Sequence, residues 1–223
     1  KPGSLTRHFD NNTFFRQPII TGKIKFNRPK VLKYFTRKKG VAKTTLPSPF
    51  YFSKIAQNCY YRKWETLLFD LVKEFKKLTK DLEKAGFALI QFNDPYLVYH
   101  PAEKKDLSIF KKALQQFKKG LKVKIGLHTF FGDGAKIFNT LIDFPVDALG
   151  FDFFKTNLED LPRQRLNRDI ICGCLDSRSP VVENTSQVEQ FVKKLIKKFS
   201  PPQVFLTSSA DLESVTAEIA YKK

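Results

Sequence analysis

The sequence predicts an α/β protein, a (β/α)8 barrel of the TIM type whose first strand lies before residue 1. Three observations lead there. From about residue 44 onward, short apolar runs alternate with longer amphipathic stretches. The runs are apolar throughout rather than alternating, as in parallel strands buried on both faces beneath helices. No Gly-rich GxGxxG turn follows any of them, which favours a barrel over a dinucleotide-binding sheet.

The elements follow in order. Within the first 43 residues, "QPIITGKIKF" supplies one strand, expected as part of a hairpin. "KTTLPSPFYF" reads as a strand broken at Pro47 and Pro49. A helix is expected from Tyr61 to Lys84, with Gly86 as its C-cap. "FALIQF" is a buried strand, and a lysine-rich helix from Lys104 to Lys119 follows it, stopped by Gly120. "VKIGLHTF" is a strand, and "AKIFNTLIDF" is a helix opening just after Gly132-Asp133-Gly134. "ALGFDFF" is a strand, and "TNLEDLPRQRL" is a loop or short helix. "DIICGCLDSR" is a strand, "SQVEQFVKKLIKKF" a helix, "PQVFLTSS" the last strand and "ADLESVTAEIAYKK" a closing helix. That makes six strands after residue 43. The N-terminal segment must supply two more and offers one, so the count falls one short. With no repeat and no linker, residues 1–223 are expected to form one domain.

Hydrophobic residues make up 42% of the chain, including 23 Phe, enough for a large core. The longest apolar runs are too short to cross a bilayer, so no membrane partner is expected. Three cysteines make no disulfide framework, which points to a reducing cytoplasm. No methionine occurs, even at position 1, so the sequence is expected to omit residues. The net charge of +18 raises the question of nucleic acid. The lysines, however, recur in pairs on the outer faces of amphipathic helices. In "FKKALQQFKKGLK", for example, Phe110, Ala113, Leu114, Phe117 and Leu121 keep helical spacing while the lysines fall opposite. No recognition motif accompanies them, so no specific nucleic-acid partner is expected. A polyanion-binding module using these faces remains an alternative.

Barrel chemistry sits where strands end. Here the apolar runs end in Asn93-Asp94-Pro95, His128, Asp152, Asp176-Ser177-Arg178 and Ser208-Ser209. Singly, an Asp at a strand end is often a turn former or helix cap, and a lone His is as often structural as functional. Five such ends together predict a ring of polar groups around one pocket. Asn93, Asp94, His128, Asp152, Asp176 and Arg178 are its candidate lining, with Arg178 an anchor for a carboxylate or phosphate. Cys172 and Cys174, two apart on a strand, face one side. They could present two sulfurs to a metal, but packing as small apolar residues is the better reading. His8 and His100 stand in polar, loop-like contexts and read as surface residues.

These motifs resemble the cobalamin-independent methionine synthase family over nearly the whole chain and in order. "GFALIQFNDPYLV" is similar to the family's IQ-x-DEP strand, "LHTFFGD" to its H-x-C-Y-G-D turn, and "FPVDALGFDFF" to its P-V-D strand. "GCLDSRSPVVE" and "FLTSSADLESVTAEIAYKK" resemble its later segments, as do "TTLPSPFYFSKIA", "KPGSL" and "TRHFDNNTFFRQP" its earlier ones. The resemblance implies methyl transfer from a methylated folate or pterin to homocysteine. In the family's catalytic barrel, zinc held by a His, two Cys and a Glu activates the thiol. Carried over by position, His128 matches the zinc histidine, while Phe130 stands at the first cysteine and Asp152 at the glutamate. Ala210 (or Ser209) stands at the second cysteine, Asn93 at an Asp that holds the homocysteine amine, and Asp94 at the family's Glu. Without thiolates no zinc is expected. The resemblance is closer to the zinc-deficient N-terminal barrel of full-length enzymes, or to archaeal short forms. It implies a zinc-free accessory component for a small anionic ligand, with a separate zinc-bearing catalytic barrel as partner. The alternative enzyme is a metal-independent one of the related uroporphyrinogen decarboxylase group.

Overall fold

The chain opens with an antiparallel hairpin of β1 (Pro2–Arg7) and β2 (Phe14–Ile20), in register at Leu5 with Arg16 and Arg7 with Phe14. The computed structural model describes residues 1–9, 12–35, 42–100 and 102–223. Asp10 and Asn11, part of the resemblance at the front, lie outside them. After α1 (Arg28–Leu32) comes β3 (Lys43–Pro47). Pro49–Ile55 is then a helix, α2, and not a continuation of the strand. Ser48 caps it, its hydroxyl accepting the Tyr51 N–H at 2.9 Å, and Pro49 needs no N–H in the first turn. The two-residue β4 (Gln57–Asn58) pairs with β2 in a three-stranded sheet separate from the main one.

α3 (Trp64–Lys84) buries Leu67, Leu71, Phe75, Leu78 and Leu82 along one stripe, and Gly86 follows it with φ 91°. β5 (Leu89–Asn93), α4 (Tyr96–Tyr99), α5 (Lys104–Lys118) and β6 (Lys124–Thr129) follow. The helix expected over 135–144 is a 3-10 turn, Gly134–Ile137, and one α-helical turn, α6 (Phe138–Leu141). β7 (Ala148–Asp152) connects through a 3-10 turn to β8 (Asp169–Leu175). α7 (Thr185–Phe199) and β9 (Val204–Ser208) complete the alternation. The expected closing helix forms only over α8 (Ala217–Lys222), where Thr216 starts it afresh after a 3-10 turn at Leu212–Ser214.

β3, β5, β6, β7, β8 and β9 form one sheet in that order, every pair parallel. These are the six strands expected after residue 43. Strand order that never reverses is the order of a barrel, not of a doubly wound sheet. The sheet is curled. Asn93 on the second strand bonds Asp211, three residues past the sixth, at 3.2 Å. Four strand spacings laid flat would separate those strands by about 19 Å. Eight strands do not close among the described residues. The N-terminal segment forms the expected hairpin, but β2 pairs with β1 and β4 in the separate sheet and adds no strand to the six. The result is a six-stranded parallel half-barrel with β3 and β9 as its edges.

Outward side chains of the sheet meet the helices: Phe92 lies 5.0 Å from Phe117 of α5 and 6.1 Å from Phe75 of α3, ring to ring. By alternation, Gln91 and Asn93 face the inside of the curl.

Candidate functional site

The inner face is built at the ends of β5, β6 and β7. Register places Asn93 beside His128 and His128 beside Gly150, while Asp152 pairs with Gly173 one step further along. The imidazole of His128 needs space, and glycines provide it. A Cβ on Gly150 would lie 2.7 Å from His128 Cδ2, and one on Gly173 would lie 2.6 Å from the Phe151 carbonyl and 3.2 Å from His128 Nε2. His128 is 2% exposed. Burial first, and then the charge of Lys43, push its pKa down to about 3, with the Phe151 carbonyl pulling weakly the other way. The ring is therefore neutral near pH 7. Its Nδ1 lies 3.2 Å from Gln91 Nε2, and its Nε2 makes no hydrogen bond.

Asp152 is also buried, which raises its pKa. Its two oxygens accept the N–H groups of Phe131 at 3.3 Å and Phe154 at 2.9 Å. Phe131 sits in the left-handed region at φ 68°, a conformation costly for a bulky residue and common at functional sites. The Arg178 guanidinium lies 4.6 Å over its ring. Thus Asp152 and Arg178 meet around Phe131. Asp176 shapes that loop, its carboxylate accepting the Arg178 N–H at 2.9 Å.

Asp94 stands apart from this face. It is fully buried, accepts the Leu97 N–H at 3.2 Å at the start of α4, and takes the Ser48 hydroxyl as a second donor. Burial pushes its pKa up to about 7. Asn93, His128 and Asp152 are thus brought together on the inner face, Arg178 and Asp176 border it, and Asp94 braces the loop behind it.

Residues that sequence reasoning passed over close the mouth. His8, expected on the surface, is half-buried, because the hairpin folds it against Tyr51 with 2.8 Å between Nε2 and the hydroxyl. Its ring contacts Phe9, Phe15 and Phe131, and burial lowers its pKa. Phe9, left-handed like Phe131 at φ 54°, packs against Tyr99 and Phe131. A cleft of about 420 Å³ opens beside them, lined by His8, Tyr51, Asp211 and Glu213 among others. Gln91 was hidden as the one amide in an apolar run, a signal in itself.

The metal question rests on donors. Phe130 places its ring 5.5 Å from that of His128, and Ala210 and Ser209 are buried in the loop after β9. Cys172 belongs to the helix-side core, and Cys174 lines a cavity with Phe153 and Phe191, so both thiols of β8 face away from His128. Among the described residues no three His, Cys, Asp or Glu side chains are placed to hold a metal ion.

A family model described as cobalamin-independent synthase, N-terminal domain, matches residues 1–200. Methionine synthases from Saccharolobus solfataricus and Thermococcus kodakarensis are 28% and 27% identical, over 94% and 95% of this chain. The chain spans 65% and 64% of their lengths, just under two thirds. Among solved structures, a B12-independent methionine synthase from Shewanella sp. W3-18-1 in complex with selenomethionine superposes with a TM-score of 0.76 at 16% identity, covering 99% of this chain and 70% of that one. A methyltransferase from Methanosarcina mazei gives 0.62 at 12% identity, over 99% and 74%. At such identities these two likenesses speak for the fold.

Proposed function

Because the chain belongs to the cobalamin-independent synthase family, matching its N-terminal domain, we propose that it serves methyl transfer to homocysteine as a ligand-binding component without zinc of its own. The half-barrel is an arc of a (β/α)8 barrel, a reading supported by its unreversed strand order and its likeness to methionine synthase structures. The site takes a small anionic ligand, a methylated folate or pterin. Arg178 anchors its carboxylate, and Asn93, His128 and Asp152 meet its polar edge. A separate zinc-bearing barrel is the partner that activates the thiol. The three free cysteines suit a reducing cytoplasm.

One observation carries the zinc-free reading: the donor set around His128. Zinc wants about four ligands, and soft thiolates supply much of its affinity. Here the neighbours are a phenyl ring, two glycines and an amide, and Asp152 is already occupied by two backbone donors. This set does not fit the ion. What the chain's residues can do is bind and orient.

The test is calorimetric titration with methylated tetrahydrofolate triglutamate, followed by methyl-transfer assays with homocysteine. Binding that Arg178→Ala weakens at least tenfold, with turnover only when a zinc-bearing methionine synthase barrel is added, is the expected result. Turnover by this chain alone would overturn the proposal.

A further inference from the structure

We propose that a hydrogen-bond chain running Asp211–Asn93–Gln91 fixes His128 in the tautomer that carries its proton on Nε2, making it a permanent donor toward a ligand acceptor on the inner face. The inference deepens the ligand-site reading above and relies on it only for the ligand. The tautomer itself is a property of the free protein.

The chain of hydrogen bonds starts at the rim. The Asp211 carboxylate accepts, so the group facing it at 3.2 Å must be the NH2 of Asn93. That leaves the Asn93 carbonyl oxygen turned inward, where it accepts from Gln91 Nε2 at 2.8 Å. The same NH2 of Gln91 has a second hydrogen, directed at His128 Nδ1 at 3.2 Å. An amide nitrogen has no lone pair to offer, so Nδ1 is the acceptor and its proton must sit on Nε2. The far side of the ring agrees. The Phe151 carbonyl, itself only an acceptor, also faces the ring. No hydrogen bond is completed there, and Nε2 remains buried and unsatisfied. A buried, unpaired donor is destabilising, a cost that a ligand oxygen would cancel. Gly173 lets the backbone pass close to the ring: a Cβ there would lie 3.2 Å from Nε2.

Two consequences follow. With the Nδ1 lone pair engaged by Gln91 and Nε2 protonated, neither nitrogen is available to coordinate a metal or to act as a base. The group that His128 recognises is an acceptor, such as a carbonyl, carboxylate or ring nitrogen. Gln91 and Asn93 are positioning residues, acting through His128.

The experiment is nitrogen NMR on the full chain with 15N-labelled histidine, near pH 7, with the His128 signals assigned by their loss in His128→Asn. The expected spectrum shows Nε2 protonated and Nδ1 bare. Gln91→Glu reverses the demand on Nδ1, so its signal moves to the protonated type. Asp211→Ala, a rim change that spares the core, frees Asn93 to turn and brings a second tautomer into the spectrum. A wild-type His128 protonated on Nδ1, or an unchanged tautomer in folded Gln91→Glu, overturns the inference. Adding methylated tetrahydrofolate triglutamate is expected to shift the Nε2–H signal without moving the proton. If the compound does not bind, the ligand reading fails while the tautomer result still decides this one.

Discussion

His128 occupies a space that glycine alone leaves open. At Gly150 an added methyl would lie 2.7–2.9 Å from three atoms of His128, and the ring cannot retreat past Gln91. Gly150→Ala should therefore cost about 1–3 kcal/mol by overpacking, read as a lower midpoint in urea with an unchanged slope. An unchanged midpoint would mean that the ring has room to move. Asp94 gives a pH-dependent test. Its folded pKa is raised from 3.8 to about 7, so between those values the native state holds a proton that the unfolded state has lost. Its contribution is fully present below about pH 4 and fades as pH rises toward 7. Asp94→Asn keeps a carbonyl for Leu97 and removes the titration. Its stability should fall less than wild type's between pH 4 and 7, measured by urea melts across that range. Parallel profiles would remove Asp94 from the account. Asn93, His128 and Asp152 were legible because each ends an apolar run, and a polar group there has to face something. Asp211, Tyr51, Phe9 and the burial of His8 were not, since distant segments bring them to the site and no local pattern marks the meeting.

Each element obeys its own local rules, and where two of them conflict, capping and burial decide. Phe50, Tyr51 and Phe52 are strong strand formers, yet Ser48-Pro49 caps and starts a helix, and burial of Phe50 and Tyr51 rewards it. Ser48 serves both α2 and Asp94, so Ser48→Ala should cost about 1–2 kcal/mol, and more at low pH is not expected. Thermal unfolding checks this, and no change in midpoint would deny Ser48 that double role. In β8 the side-chain period of two settles where the thiols go: Gly173 faces His128, so Cys172 and Cys174 cannot. Cys59 is exposed. A thiol reagent should therefore modify one cysteine quickly in the native protein and all three after denaturation. Rapid native modification of all three would show β8 in the other register. The six parallel strands were readable because their runs are buried on both faces. The short 3-10 connections after β6 and β7 were not, because apolar spacing looks alike in a helix and in a turn pressed against a sheet.

At the scale of the molecule, lysines recur along the three long helices of a chain with a net charge of +18, while the inner face joins a neutral histidine to carboxylates and amides. No described helix is long and apolar enough to cross a membrane. The curl of the sheet brings the loop after β9 back to β5, and that one closure assembles the chain from Asp211 to His128. On the proposed reading, this arrangement presents donors and acceptors to a ligand and offers no seat for zinc. The decisive experiment is to load the purified chain with excess zinc, dialyse against a weak chelator and measure metal per chain by mass spectrometry. Far less than one zinc per chain is expected, the same in wild type and His128→Asn. One zinc per chain in the wild type, lost in His128→Asn, would contradict it.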